Sequence, residues 1–238
     1  MDILDHSDLD HSDIHHCDLE NIKMSEESVV EMYYELIILG TLMVGPFHGY
    51  LIAKIMQNIL GPYGKLSAGR LYPLLTKLEA AGLIVVEPVS EQQEELSPRR
   101  SHIPSRRYRI SEAGRKRLHE LMMDTTSYLG EYQKVFLQKV AYFSFLQPEE
   151  RLRLIEHYIG YCQSLVSYGT ARAEELAQSG RDPKSPINMT SAQLADLLMG
   201  MQHKIRQWQQ ELLWVEGLRE QVKATIQTSA SPPNETGT

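Results

Sequence analysis

Apolar positions recur every three or four residues along most of this chain, and departures from that period mark its architecture. Val29, Met32, Tyr33, Leu36, Ile37, Leu39, Leu42 and Met43 make a broad apolar face that predicts a helix, ended by Gly45-Pro46. A second, short helix follows His48-Gly49-Tyr50, with Leu51, Ile52, Ile55 and Met56 apolar, and breaks at Gly61-Pro62-Tyr63-Gly64. A third opens at Ser67, its expected N-cap, and carries Leu71, Leu74, Leu75 and Leu78 to Ala81-Gly82, where glycine enters left-handed backbone without penalty. Pro73 lies inside this helix, removes one backbone bond and is expected to bend it. Residues 83–87 then change to a short β-branched run, a strand signal. Residues 88–105 are polar and aperiodic, with Pro88, Pro98 and Pro104. Residues 106–110 alternate as a return strand, and Ser111 is placed to cap the next helix.

The second half is helical. Pro148-Glu149-Glu150 is a helix start, with proline at the first position and acids at the positive end of the dipole. Leu152, Ile155, Tyr158, Ile159, Cys162, Leu165 and Val166 share one face. Leu194, Leu198, Met201, Ile205, Trp208, Leu212 and Val215 follow alternating steps of four and three, a heptad seam interrupted at Arg219, with Leu218, Val222 and Ile226 around and beyond the break. Such a seam needs a partner. An antiparallel or domain-swapped homodimer is expected, and the helix over 148–178 of the same chain is open to part of the seam.

Composition narrows the class. Of 238 residues, 42% are hydrophobic and 23% charged, values of an ordinary globular protein. No window approaches the ~18 apolar residues of a membrane span, and no secretory signal opens the chain. Cys17 and Cys162 form no disulfide framework, which fits a reducing cytoplasm. The net charge of −7 taken alone argues against nucleic acid, but its distribution does not: residues 1–35 hold 11 acids and one base, whereas residues 46–117 hold 12 bases and 6 acids. A polyanion meets a basic middle segment.

The order helix, helix, helix, strand, loop, strand is that of a winged helix-turn-helix. Gly45-Pro46, His48-Gly49-Tyr50, Lys65-Leu66-Ser67 with Gly69, Leu71-Tyr72-Pro73, Leu78-Glu79, Gly82-Leu83-Ile84, Arg106-Arg107-Tyr108-Arg109 and Glu112-Ala113-Gly114 occur in order and at spacings that resemble the PadR family of bacterial transcriptional regulators. The resemblance implies a mainly α fold with a small two-stranded β-wing, a DNA-binding domain over 29–117 and a helical dimerisation and effector-sensing domain over 118–228. These lie between an acidic, His-rich tail (1–28) and a flexible end (229–238). It also implies the family's job: a homodimeric repressor on an inverted-repeat operator in double-stranded promoter DNA, released by a small phenolic or aromatic effector.

On that reading the DNA-facing residues are Lys65, Ser67, Gly69, Arg70, Tyr72 and Lys77 around the third helix, and Arg99, Arg100, Arg106 and Arg107 in the wing. A helix N-terminus offers free N–H groups to phosphate, and Gly69 permits close approach. Arg70 suits bidentate contact with guanine and Lys77 a phosphate. Tyr72 either stacks on the sugar–phosphate backbone or plugs the junction of helix and wing. Arg106 and Arg107 point to opposite faces of a strand. The heptad residues from Leu194 to Val215 carry dimerisation, and Phe136, Tyr142, Phe143 and Tyr158 are effector candidates that serve equally as core.

The chain shows no serine elbow, phosphate loop or dinucleotide fingerprint, and His119-Glu120 lacks the second histidine of a zinc-protease helix, so no enzyme and no cofactor are expected. Asp5-His6-Ser7-Asp8-Leu9 and Asp10-His11-Ser12-Asp13-Ile14 repeat one unit near Cys17. A metal-responsive regulator using this tail and a helical protein-interaction module are the alternatives, although we assign no metal ligand, and Met24 offers a second start.

Overall fold

The computed structural model describes residues 26–62, 67–87, 106–127, 129–180 and 189–230. Among the described residues seven α-helices carry the fold: α1 (Glu26–Val44), α2 (Gly49–Leu60), α3 (Ala68–Ala80), α4 (Glu112–Met123), α5 (Tyr132–Val140), α6 (Pro148–Ser179) and α7 (Ser191–Ala230). Three short strands join them: β1 (Phe47–His48), β2 (Ile84–Glu87) and β3 (Arg107–Ile110). The expected two-stranded wing is thus a three-stranded antiparallel sheet in the order β1-β3-β2, with Phe47 opposite Tyr108 and Ile84 opposite Ile110. Two residues show no periodicity, so β1 left no trace in the hydrophobic pattern. The first helix also begins three residues before Val29, where the acids have no apolar period.

One contiguous core runs from α1 through the sheet into the helical half. Leu36, Ile37 and Leu39 of α1, Ile52 of α2, Leu75 of α3 and Ile84 of β2 are fully buried in it. Tyr108 and Ile110 face inward from β3 while Arg107 and Arg109 face out, the alternation that its period of two demands. Gly82 closes α3 at φ 71°. Ser111 caps α4 by accepting from the Gly114 N–H at 3.0 Å. Position 117 lies inside α4, which packs on α1 and buries Leu118, Leu121 and Met122, so module and helical half share a continuous helix.

α6 opens with a reciprocal capping box between Gln147 and Glu150, and Glu150 also holds His119 at 2.7 Å. α7 returns antiparallel along it. Leu194 meets Gly180, Ile205 meets Gly169, the Trp208 ring stands edge-on to Tyr161, and Glu211 accepts from the Tyr158 hydroxyl at 2.7 Å. The heptad seam therefore lies against α6 of the same chain, the second of the two arrangements open to it. Gly169 of α6 and Gly180 at its C-cap make holes for its knobs.

Lys139 is the one fully buried cation among the described residues, its Nζ donating to the Asp124 carbonyl. Burial pushes its pKa down to about 8, against the opposing pull of Asp124. The unfolded chain therefore binds more protons above pH 8, and stability rises with pH from 8 to 10 as the penalty on the buried charge fades. Lys139→Met is expected to be about 1–2 kcal/mol more stable than wild type at pH 7, because an apolar side chain fills the site without a charge to desolvate. The advantage should shrink between pH 8 and 10. Cys162, pushed up to about 11 by burial, acts in the opposite sense, but equally in both proteins. Thermal melts of the two chains at pH 7, 8, 9 and 10 check this.

Candidate nucleic-acid interface

The leucines of α3 decide its outward face. Leu71, Leu74, Leu75 and Leu78 point into the core, which leaves Gly69, Arg70, Tyr72, Pro73, Thr76 and Lys77 as an exposed arc. Arg70 is exposed and makes no ion pair with another described residue. Lys77 Nζ holds Glu31 of α1 at 2.7 Å. Ser67 takes the N-cap backbone conformation, but contrary to expectation its hydroxyl makes no capping bond. The α3 start is therefore ordered by backbone alone, with the Arg70 and Leu71 N–H groups bonded to the Ser67 carbonyl. α3 also continues through Pro73: the bond that proline cannot donate would have ended on the Gly69 carbonyl, in the exposed first turn.

Tyr72 is covered on one side and open on the other. Its ring covers Gly49, where an added Cβ would come within 3.2 Å of it, yet it is 46% exposed. Tyr108 approaches the same glycine from the sheet, and burial raises its pKa against the lowering effect of neighbouring Arg106. Glycine at 49 lets α2 start in contact with both rings.

The wing cations arrive paired. Arg106 bonds Glu79 of α3 at 3.3 Å. Arg107 lies 3.6 Å and Arg109 3.4 Å from the carboxylate of Glu87, and Arg107 also donates to the Pro46 carbonyl at 3.4 Å. Such exposed pairs are worth about 0–1 kcal/mol each, so a phosphate can replace the carboxylate. Sequence reading missed these counterions, since nothing in the spacing of Glu31, Glu79 and Glu87 announces their partners. It also passed over Arg109 and over Lys54, an exposed cation on α2. Lys65, Arg99 and Arg100 lie outside the described residues, as does the His/Asp tail. Among the described residues no cluster of three or more His, Cys, Asp and Glu could hold a metal. No described helix is long and apolar enough to cross a membrane.

The four aromatic effector candidates stand in the core. Phe136 stacks on Tyr158 with ring centroids 3.8 Å apart, and Phe143 meets Phe136 edge-on. Tyr142 lies over Gly40 of α1 and donates to the Ile37 carbonyl at 3.3 Å, joining the helical half to the module.

Residues 38–120 match the transcriptional regulator PadR-like family, a span from the middle of α1 through α3 and the sheet into α4. No curated protein matches the chain. Among solved structures it is similar to Bacillus subtilis PadR in complex with operator DNA, at 18% identity over 79% of this chain and 96% of that one, with a TM-score of 0.33. The same protein in complex with p-coumaric acid gives 18% identity over 80% and 99%, also at 0.33. The Streptococcus mutans protein smu.1604c gives 24% over 77% and 96%, at 0.31. Over residues 38–120 the winged module is thus similar to the PadR-like family of transcriptional regulators.

Proposed function

We propose that this protein is a homodimeric repressor acting on double-stranded promoter DNA in the cytoplasm, with residues 29–117 binding an inverted-repeat operator and residues 118–228 serving dimerisation and effector sensing. The observation that carries the DNA reading is the exposed arc of α3, with Arg70, Tyr72 and Lys77 opposite four buried leucines, inside the span that matches the family. An α-helix fits the major groove, where Arg70 reads base edges and Lys77 meets phosphate. Ser67 and Gly69 lie where the backbone comes nearest to the duplex, and Lys65, Arg99, Arg100, Arg106 and Arg107 add phosphate contacts from the flanking turn and the wing.

Dimerisation is supported by what α6 leaves uncovered. Leu197, Met199, Leu213 and Trp214 of α7 and Tyr168 of α6 are exposed, with Leu197 and Tyr168 lining one groove, although the heptad residues are partly or fully covered within the chain. A second copy over these residues would place two α3 helices on two half-sites. For an effector, the support is an open groove of about 690 Å³ next to the aromatic cluster, where Lys204 and Arg206 stand beside Trp208, a setting for an aromatic acid.

Arg70→Ala is expected to cost about 1–3 kcal/mol of operator affinity and relax specificity, whereas Lys77→Ala should weaken all duplexes alike and reduce the salt slope by about 0.9. Fluorescence anisotropy on promoter and random duplexes over a salt series measures both. A chain without salt-sensitive duplex binding would refute the DNA reading, and a monomer mass at micromolar concentration the dimer. Phenolic acids titrated into the complex test release.

A further inference from the structure

The start of α1 lies beside the exposed arc of α3. A groove of about 460 Å³ separates them, with Ser28, Glu31 and Tyr34 on one wall and Gly69, Arg70 and Lys77 on the other. One acid of α1 already reaches across: Glu31 holds Lys77 at 2.7 Å, with both side chains more than half exposed. The chain that enters α1 at this point is acidic. Residues 1–25 carry Asp2, Asp5, Asp8, Asp10, Asp13, Asp18 and Glu20 against a single base, Lys23.

We infer that this acidic N-terminal segment docks along the basic arc of α3 and competes there with DNA. The site is the α1–α3 groove and the arc beyond it, and the occupant is residues 1–25 of the same chain.

Three observations carry the inference. The charges are complementary, since the segment opposes a module holding 12 bases and 6 acids over residues 46–117. The reach is ample: α3 spans about 20 Å, and 25 residues extend to at most ~80–90 Å. The attachment point is already at the groove, so docking is intramolecular and proceeds at the high effective concentration of a short tether. Glu31 on Lys77 shows that a carboxylate is accepted at this surface.

A distinctive salt dependence follows. Duplex binding releases counterions in proportion to the phosphates that protein cations neutralise. Where the segment already neutralises those cations, DNA displaces carboxylates instead, and the slope of log K against log salt flattens. Neutralising the segment should therefore steepen the slope and strengthen binding most at low salt.

The inference rests on the DNA-binding reading, so the experiment has two independent arms. In the first, the full chain is compared with a full-length variant carrying D2N, D5N, D8N, D10N, D13N, D18N and E20Q on one labelled promoter duplex from low to high salt. The variant is expected to bind about fivefold or more tightly at low salt, with the two curves converging as salt rises. In the second, the full chain without DNA is treated with a carbodiimide that joins carboxylates to amines at zero length, and mass spectrometry maps the products. A link from residues 2–20 to Lys77 is expected, with the Glu31–Lys77 link as the internal control. Equal affinities at every salt concentration, or a Glu31–Lys77 link unaccompanied by any link from residues 2–20 to Lys77, would overturn the inference. If neither chain binds duplex, the DNA reading falls, and the crosslink still decides whether the segment covers α3.

Discussion

Gly114→Val is expected to unfold the winged module. Gly114 is the third residue of α4, and a Cβ there would stand 2.0 Å from the Leu83 carbonyl oxygen, 3.0 Å from its carbon and 2.8 Å from Ile110 Cγ1. The obstacle is backbone, so no rotamer change relieves it. The same Leu83 carbonyl accepts the Ser111 N–H at 3.0 Å, and Ser111 Oγ donates toward it and toward the Gly82 carbonyl. Lifting α4 far enough to admit a side chain would break these bonds and disturb the Ile84–Ile110 pair beside them. Overpacking a core costs about 1–3 kcal/mol, and more where the obstacle cannot move. With about 1 kcal/mol for each lost hydrogen bond, the sum is about 4–5 kcal/mol, a large part of the ~5–15 kcal/mol that holds a domain folded. Gly114→Ala should be nearly as damaging, because the clash is at Cβ. Gly160→Ala is the control: it lies exposed within α6 with nothing near the added methyl, and should gain up to about 1 kcal/mol. A Gly114→Ala chain that melts with the wild type would refute the account.

Phe136→Ala should lower stability by about 3–5 kcal/mol, the range for deleting a fully buried phenyl ring. Phe136 is completely buried on α5, face to face with Tyr158 of α6, edge-on to Phe143 and Trp214, and tilted against Tyr132. It is the ring through which α5, α6 and α7 meet. Neighbouring Tyr132 is held by its hydroxyl on His157 at 2.9 Å, and Tyr158 by its bond to Glu211, so these rings cannot turn to fill the space. A melting temperature about 10 °C lower and a weaker near-ultraviolet dichroism signal are expected. If Phe136→Ala instead leaves the melt unchanged, or an aromatic acid binds at that position without loosening the fold, the four aromatic residues are a ligand site and not a structural cluster.

The candidate site was legible in the sequence wherever one element sets its own geometry. The leucine period of α3 fixed which of its side chains face out, and strand alternation set Arg106 and Arg107 on opposite faces without saying which face is outward. Gly82 and Ser111 were readable as a helix end and a helix start because left-handed backbone and N-capping are local requirements. What the cations of α3 and the wing would pair with was hidden, since Arg106 meets Glu79 and Lys77 meets Glu31 across separations of 27 and 46 residues.

By itself the sequence determined the helical periods, the charge separation between the acidic segment and the basic module, and the family motif, because each is a property of neighbours along the chain. Tertiary structure decided the rest. It added β1 to the sheet, turned the α7 seam onto α6, and gave Gly40, Gly114, Gly169 and Gly180 their reason: each leaves room for an atom from a distant segment. A heptad seam states that an apolar partner is required but not which one, because burial rewards any complementary surface alike. Only the register of α6, with its glycines opposite Ile205 and Leu194, made the choice.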